Sequence, residues 1–147
     1  MNHKIAILSD IHGNTTALAG VLEDAKNLGA TEYWLLGDIF LPGPGATDLV
    51  ALLKDLPITA FVRGNWDDCV LEAIDGQYGL ADPEEIQLLR MTQFLIEHLN
   101  PEHIDWLRDL PMVAKKEVEG LRFSLSHNLP DKNYGGDLLV ENGTEKF

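Results

Sequence analysis

Acidic, amide and imidazole side chains follow the apolar segments of this sequence at four separate points. They are Asp10 and His12 after the first segment, Asp38 after the second, Asn65 after the third and His127 after the last. Carboxylate, imidazole and amide groups are donors for hard or borderline divalent cations such as Mn, Fe, Mg, Ni or Zn. If these side chains converge, the pattern predicts a metal site.

The apolar segments before these side chains predict strands of a parallel sheet. Residues 5–8, 33–36 and 58–62 are short apolar runs, of which 5–8 is expected to be buried on both faces, and helical patterns separate them. Strands that alternate with helices predict a right-handed βαβαβ unit, and hence a doubly wound α/β sheet. The carboxyl ends of parallel strands line one crevice, so this topology would bring the donor residues together.

Capping signals mark the ends of the predicted helices. Thr15 or Thr16 is expected to cap the first helix, and Gly29 is expected to end it in the left-handed conformation. Residues 68–110 contain no strand signal and hold two further helix starts, each a capping residue followed by proline. This block is expected to pack as a layer on the sheet; the alternative is a cap over the crevice. The apolar stripe that would pack is Leu88, Met91, Leu95 and Leu99.

Strand signals return in the C-terminal part of the chain. Residues 112–118 and 121–126 predict a β-hairpin joined at a Glu-Gly turn. Residues 138–140 are a short apolar run within an otherwise loop-like end. The whole chain, residues 1–147, is predicted to form a single domain.

The composition excludes several classes of protein. The 147 residues include 11 Lys and Arg against 24 Asp and Glu, a formal charge of −13. That charge leaves no basic face for duplex nucleic acid or an anionic membrane, so neither partner is expected. The single Cys69 excludes an internal disulfide and is expected to be a small packed thiol. The N-terminal residues have the pattern of neither a signal peptide nor a membrane span, so a cytoplasmic protein is expected.

The ordered motifs resemble those of the calcineurin-like metallophosphoesterase superfamily, in its small bacterial and archaeal phosphodiesterase-like branch. They are SDIHGN, LLGDIF, VRGNWD and SLSHNLP, and together they span most of the chain. The resemblance implies a layered metallophosphoesterase sheet with flanking helices. It also implies two divalent metal ions, hydrolysis of phosphate mono- or diesters, and a small phosphoester or a phosphoprotein as substrate.

The resemblance also implies a role for each ligand. Asp10 and His12 would bind one metal, Asn65 and His127 would bind the other, and Asp38 would bridge the pair. Two cations bridged by a carboxylate can hold phosphate oxygens, neutralise developing charge and supply the nucleophile for in-line attack at phosphorus.

Three further motif residues, Asp67, Arg63 and Asn14, are candidates for catalysis. In family members that have a histidine at the position of Trp66, the residue that matches Asp67 orients that histidine. Indole cannot protonate a leaving group, so Trp66 is expected to form pocket wall. Asp67 is also expected to converge with the carboxylates of the crevice, where a cation would relieve their repulsion. Arg63 and Asn14 would contact substrate phosphate, or else form a surface ion pair and the turn before the first helix.

The Gly-His-x-His element that ends the family pattern is missing, because no histidine follows His127. The chain is therefore expected to be a C-terminally truncated form of the fold. Metal would be labile, activity weak or absent, and self-association would occur through an exposed sheet edge. The alternative function is a non-catalytic interaction module with a degenerate metal site on the same fold.

Overall fold

The computed structural model describes residues 3–135, and the elements follow the predicted order. The first half contains β1 (Ile5–Leu8), α1 (Thr15–Asn27), β2 (Glu32–Leu35), α2 (Thr47–Leu53) and β3 (Ile58–Phe61). Helices α3 (Asn65–Ile74), α4 (Pro83–His98) and α5 (Pro101–Asp109) follow, and then strands β4 (Val113–Val118) and β5 (Leu121–Ser126). No helix within this described range is long and apolar enough to cross a membrane. The apolar run at 138–140 lies outside the described residues.

Strands β1, β2 and β3 form a parallel sheet in that order. The order follows the sequence without reversal, so right-handed connections place α1 and α2 on the same face, where they contact each other. The predicted α/β class with flanking helices is confirmed. The expectation that residues 5–8 are buried on both faces is wrong. Within the described part of the chain β1 pairs with β2 alone, and at this edge Ile7 is 55% exposed.

The sheet has a hydrophobic core on each face. The helical face buries Leu35 of β2 and Leu49 of α2 together with residues of α3, α4 and α5. On the opposite face Trp34 and Val62 pack with Leu125 of β5. Strands β4 and β5 are antiparallel, as predicted, and their hairpin covers this second face. The hairpin therefore brings the residues that follow β5 close to the parallel sheet.

The helices of residues 68–110 lie against the helical face. Leu95 and Leu99 are buried in its core, and Leu88 and Met91 pack against it from partly buried positions. These four residues are the predicted apolar stripe of the block. In the described structure the stripe packs as a layer.

The first helix begins one or two residues earlier than predicted. Asn14, and neither Thr15 nor Thr16, is its N-cap, because the side-chain oxygen of Asn14 accepts a hydrogen bond from the N–H of Ala17 at 2.9 Å. The expected threonine caps are wrong for that reason. The predicted end of the helix at Gly29 agrees with the structure, where its φ is +82°.

A polar cluster surrounds Glu32 at the amino end of β2. Its carboxylate is almost buried and accepts hydrogen bonds from Thr59 Oγ1 and, at 2.8 Å, from Trp34 Nε1. His3 Nε2 lies 2.8 Å from the second carboxylate oxygen. The hydrogen bonds, that of Thr59 first, hold the pKa of Glu32 below its ordinary value.

Replacing Glu32 by glutamine should make stability less dependent on pH. A carboxyl whose pKa is lowered by folding stabilises the chain above its unfolded pKa, and this contribution disappears as pH falls through the folded pKa. Glu32→Gln should lower the free energy of unfolding at neutral pH by about 1–3 kcal/mol, because two donors lose a charged acceptor. The difference should shrink below pH 4.5, the ordinary pKa of the group. Urea denaturation of both chains across this range measures it, and a pH-independent difference would contradict the assignment.

Candidate metal centre

The polar residues after β1 and β2 lie in tight turns at the carboxyl end of the sheet. Asp10, His12 and Asp38 have positive φ values of 56°, 50° and 57°. Such backbone is strained for residues other than glycine and persists only where the surroundings impose it. Here the two turns hold each other, because Asp10 N donates to Gly37 O at 3.1 Å and His12 N donates to Asp38 O at 2.9 Å. These hydrogen bonds keep the two turns side by side.

The side chains of Asp10, His12 and Asp38 form the first candidate ligand group. One donor atom from each lies within 4.8 Å of the others. His12 Nε2 is 3.6 Å from Asp10 Oδ1 and 3.7 Å from Asp38 Oδ2, which is too long for hydrogen bonds and leaves room for a cation. His12 Nδ1 lies 2.5 Å from the carbonyl oxygen of Leu41 and donates to it. The lone pair of Nε2 is therefore directed to the carboxylates.

His127 and Asn65, together with Asp38, form the second candidate ligand group. His127 arrives from β5 in the second sheet, and its Nδ1 lies 2.6 Å from the carbonyl oxygen of Leu36. Its Nε2 lies 2.9 Å from Asn65 Oδ1 and 3.4 Å from Asp38 Oδ2. When a neutral imidazole carries its proton on Nδ1, its Nε2 has no proton to donate to these two oxygens. A cation among the three donor atoms would satisfy all of them.

Asp38 lies between the two groups and is 2% exposed. Its Oδ1 accepts the N–H of Trp66 at 2.9 Å, and its Oδ2 lies 3.7 Å from His12 Nε2 and 3.4 Å from His127 Nε2. Burial raises the pKa of Asp38 above its ordinary value, and the Trp66 N–H and the histidines oppose this. Divalent cations would favour the ionised carboxylate. The donor set therefore fits two metal ions that share Asp38.

Asp67 was expected to converge with the carboxylates of the crevice, and this expectation is wrong. It is 1% exposed, and its two oxygens accept the backbone N–H groups of Asp38, Ile39 and Gly64 at 2.9, 3.1 and 2.9 Å. Burial raises the pKa of Asp67 to about 6 in spite of these hydrogen bonds. The carboxylate thus lies beneath Asp38 and positions its backbone.

Glycines at 37 and 64 allow the loops after β2 and β3 to touch. A Cβ on Gly64 would overlap the carboxylate of Asp38, and a Cβ on Gly37 would overlap the backbone of Gly64. Gly37 also has a φ of +90°. Both motifs therefore require glycine because of backbone contact.

The other two candidates for catalysis make structural contacts. Arg63 Nε lies 2.5 Å from Asp68 Oδ1, and its Nη1 donates to the carbonyl oxygen of Arg108 at 3.1 Å. Asn14 uses its side-chain oxygen to cap α1. The described contacts match the ion-pair and turn alternatives for these residues.

The groups that orient the ligands were missed by sequence reasoning. The carbonyl oxygens of Leu36 and Leu41 hold the two imidazoles, and every residue has a carbonyl, so no side-chain signal marks them. Ser9 Oγ donates to Asp10 Oδ2 at 2.5 Å. Ser9 is the first residue of the SDIHGN motif, and its position beside Asp10 was the available signal.

Comparison with known proteins agrees with this geometry. A family model described as calcineurin-like phosphoesterase matches residues 3–146. A protein from Methanocaldococcus jannaschii is 35% identical over 130 residues, which cover 86% of this chain and 49% of that protein. A symmetrical bis(5'-nucleosyl)-tetraphosphatase from Enterobacter sp. strain 638 is 30% identical over 117 residues, which cover 78% of this chain and 40% of that enzyme.

Solved structures show the same likeness. A metallophosphoesterase from Sphaerobacter thermophilus has a TM-score of 0.56 and 31% identity, covering 77% of this chain and 44% of that one. A hypothetical protein from Pyrococcus horikoshii, with a TM-score of 0.58 and 24% identity, supports the fold alone. The chain spans about half the length of the relatives that it matches, or less.

Asp67→Asn tests the carboxylate beneath Asp38. An amide presents one oxygen and one NH₂ group, so at least one backbone N–H loses its acceptor and faces another donor. The free energy of unfolding should fall by about 1–3 kcal/mol, and metal affinity should fall about 10- to 100-fold. Asp75→Asn, at an exposed aspartate paired with Arg108, is the matched control and should leave metal affinity unchanged. Urea denaturation and metal titration measure both effects; unchanged metal affinity in Asp67→Asn would refute the positioning role.

Proposed function

The chain belongs to the calcineurin-like phosphoesterase family, and from this premise we propose that it hydrolyses phosphate mono- or diesters at a two-metal site. Members of this family use divalent metal ions. The observation that carries the proposal is the position of Asp38, whose buried carboxylate faces Nε2 of both His12 and His127. A shared acidic ligand between two imidazoles suits two adjacent cations, because one carboxylate can neutralise charge on both.

Each ion would have three donors from the described residues. Asp10, His12 and Asp38 would hold one ion, and Asp38, Asn65 and His127 would hold the other. When bound, the ions would neutralise phosphate oxygens and lower the pKa of an attacking water. Coordination positions beyond these donors would be open to water and substrate. With only three protein donors each, the ions would be held weakly and would exchange with solution.

Trp66 bears on the choice of substrate. Its ring stands edge-on to His12, with ring centroids 6.0 Å apart at 84°, so it forms a wall beside the ligands. Indole supplies no proton to a departing alkoxide, whereas aryl oxides and phosphates leave with little need of one. We therefore propose substrates with good leaving groups. The Enterobacter relative is named for a bis(5'-nucleosyl)-tetraphosphate, and breaking such a phosphate chain would release a phosphate group of this kind.

Asp38→Asn should impair the site more than the loss of any other ligand, because Asp38 serves both ions. We expect kcat/KM for an aryl phosphodiester to fall by roughly 100-fold or more, the scale of one lost electrostatic contact to a transition state. His12→Ala and Asn65→Ala should lose less activity and less metal. Metal content, hydrolysis under limiting Mn²⁺ and circular dichroism of all variants measure this.

Two outcomes would count against the proposal. Full activity in Asp38→Asn at limiting metal would refute the shared ligand. An unmodified chain that binds metal but hydrolyses neither aryl diesters nor aryl monoesters would favour the alternative of a non-catalytic interaction module.

Trp66→His should narrow the preference for good leaving groups. The unmodified chain is expected to hydrolyse aryl esters faster than alkyl monoesters, and a histidine at 66 should raise kcat/KM for alkyl monoesters by about 10-fold or more, since general acids contribute about 10²–10⁴-fold. Trp66→Phe keeps an aromatic wall without a proton donor and is the matched control. The measurement is the ratio of kcat/KM for an aryl ester to kcat/KM for an alkyl monoester in each chain. If alkyl monoesters are the best substrates of the unmodified chain, the assignment of Trp66 is wrong.

A further inference from the structure

A cavity lies between helix α4 and the loop that follows Asp38. Residues 41–44 of the loop form one wall, and Arg90, Met91 and Phe94 of α4 form the other. Its volume is about 360 Å³, within the range of small-ligand sites. We name it the α4 cavity. None of its residues is a metal ligand of the site described above.

The loop that forms one wall of the α4 cavity also contacts His12, a candidate metal ligand. The carbonyl oxygen of Leu41 lies 2.5 Å from His12 Nδ1, and Gly43 N donates to His12 O at 3.0 Å. The cavity and the first ligand group are therefore separated by one loop. A substrate with a phosphate at the metal centre would need to extend past this loop to enter the cavity.

The walls of the α4 cavity suit a flat aromatic group. Pro42 and Pro44 are rigid apolar residues on the loop side, and Phe94 and Met91 lie on the helix side. Phe94 is 44% exposed although it is large and apolar, and its ring stacks on His98 with centroids 4.2 Å apart at 25°. Exposed aromatic rings held in place in this way are the surfaces on which nucleic acid bases stack.

Arg90 adds a cation to the same cavity. It precedes Phe94 by four residues on α4, so the two side chains share one helix face. The Arg90 side chain is exposed and makes no hydrogen bond or ion pair with any of residues 3–135. In a chain with a formal charge of −13, a guanidinium without an acidic partner among the described residues can contact an anionic ligand, and its geometry fits phosphate.

We propose that the α4 cavity is a nucleoside subsite, in which the base lies between the loop prolines and Phe94 and a phosphate contacts Arg90. The inference rests on the proposed phosphoesterase function and deepens it by naming nucleotides as the substrate class. Apolar walls alone would accept any flat molecule. The guanidinium of Arg90, which has no acidic partner among residues 3–135, favours a flat molecule that also carries phosphate.

Binding to the metal-free chain tests the subsite without any reaction. Adenosine and ADP are titrated in the presence of EDTA and followed by NMR chemical shifts. Both should bind, and ADP should bind more tightly. Phe94→Ala should weaken both about 10-fold because stacking is lost. Arg90→Gln should weaken ADP about 5- to 10-fold and adenosine less than about twofold, because only ADP offers phosphate to the guanidinium.

Matched controls come from the hairpin. Leu121→Ala removes a large exposed apolar side chain, and Arg122→Gln removes an exposed guanidinium, both on β5 and outside the α4 cavity. Neither should change the affinity for adenosine or ADP. Circular dichroism of each variant shows whether the fold is retained.

The outcomes separate the subsite from the reaction. Absence of adenosine and ADP binding, or equal affinities in Phe94→Ala and the unmodified chain, would overturn the subsite, as would equal loss of ADP affinity in Arg90→Gln and Arg122→Gln. If the metal-loaded chain still hydrolyses aryl phosphodiesters, the subsite alone has failed. Nucleotide binding with the expected losses, in a chain that hydrolyses nothing with metal, would support the subsite and refute the proposed function.

Discussion

The carboxylate of Asp67 holds together the two loops on which the ligand geometry depends. It accepts hydrogen bonds from the backbone of Asp38 and Ile39 after β2 and from Gly64 after β3. Because the carboxylate is buried, these N–H groups would lose their charged acceptor if it were removed, at a cost in stability. Gly64 has no side chain and so leaves room for the carboxylate of Asp38. Both candidate ligand groups share Asp38. The remaining candidate ligands can therefore surround the same ions only while Asp67 holds the loops after β2 and β3 together.

The two histidines reach Asp38 from different layers of the fold by the same device. His12 follows β1 and His127 follows β5, yet each places Nδ1 against a backbone carbonyl and turns Nε2 to Asp38. His127 depends on the packing of the hairpin, in which Leu125 contacts Trp34 on the second face of the sheet. The candidate metal centre therefore joins the two sheets. Cations bound there would stabilise the docking of the hairpin as well as the loops, because ligand binding and folding are linked.

If the chain hydrolyses phosphoesters as proposed, its formal charge of −13 means that it would bind phosphate with few basic side chains. Arg63, the one arginine within the motifs, is occupied by Asp68 and by the carbonyl oxygen of Arg108. Charge neutralisation at the crevice would then fall to the bound cations, which is consistent with a carboxylate-rich centre. Arg90 is the contrasting case, since it faces a cavity beside the same centre without an acidic partner among the described residues.

The sequence by itself determined the order of the elements and the types of the ligands, because apolar periodicity and turn residues are local properties. The end of the first helix at Gly29 needed only its tolerance of positive φ. The cap at Asn14 was a choice among adjacent polar residues that one backbone hydrogen bond decided. Only the tertiary structure decided the exposure of Ile7, since a strand becomes an edge through pairing with distant residues. It also decided the role of Asp67, whose partners at Asp38 and Ile39 lie 29 and 28 residues away in the chain. A carboxylate in a motif has the same sequence signal whether it faces a cation or the backbone, and only packing determines which one it meets.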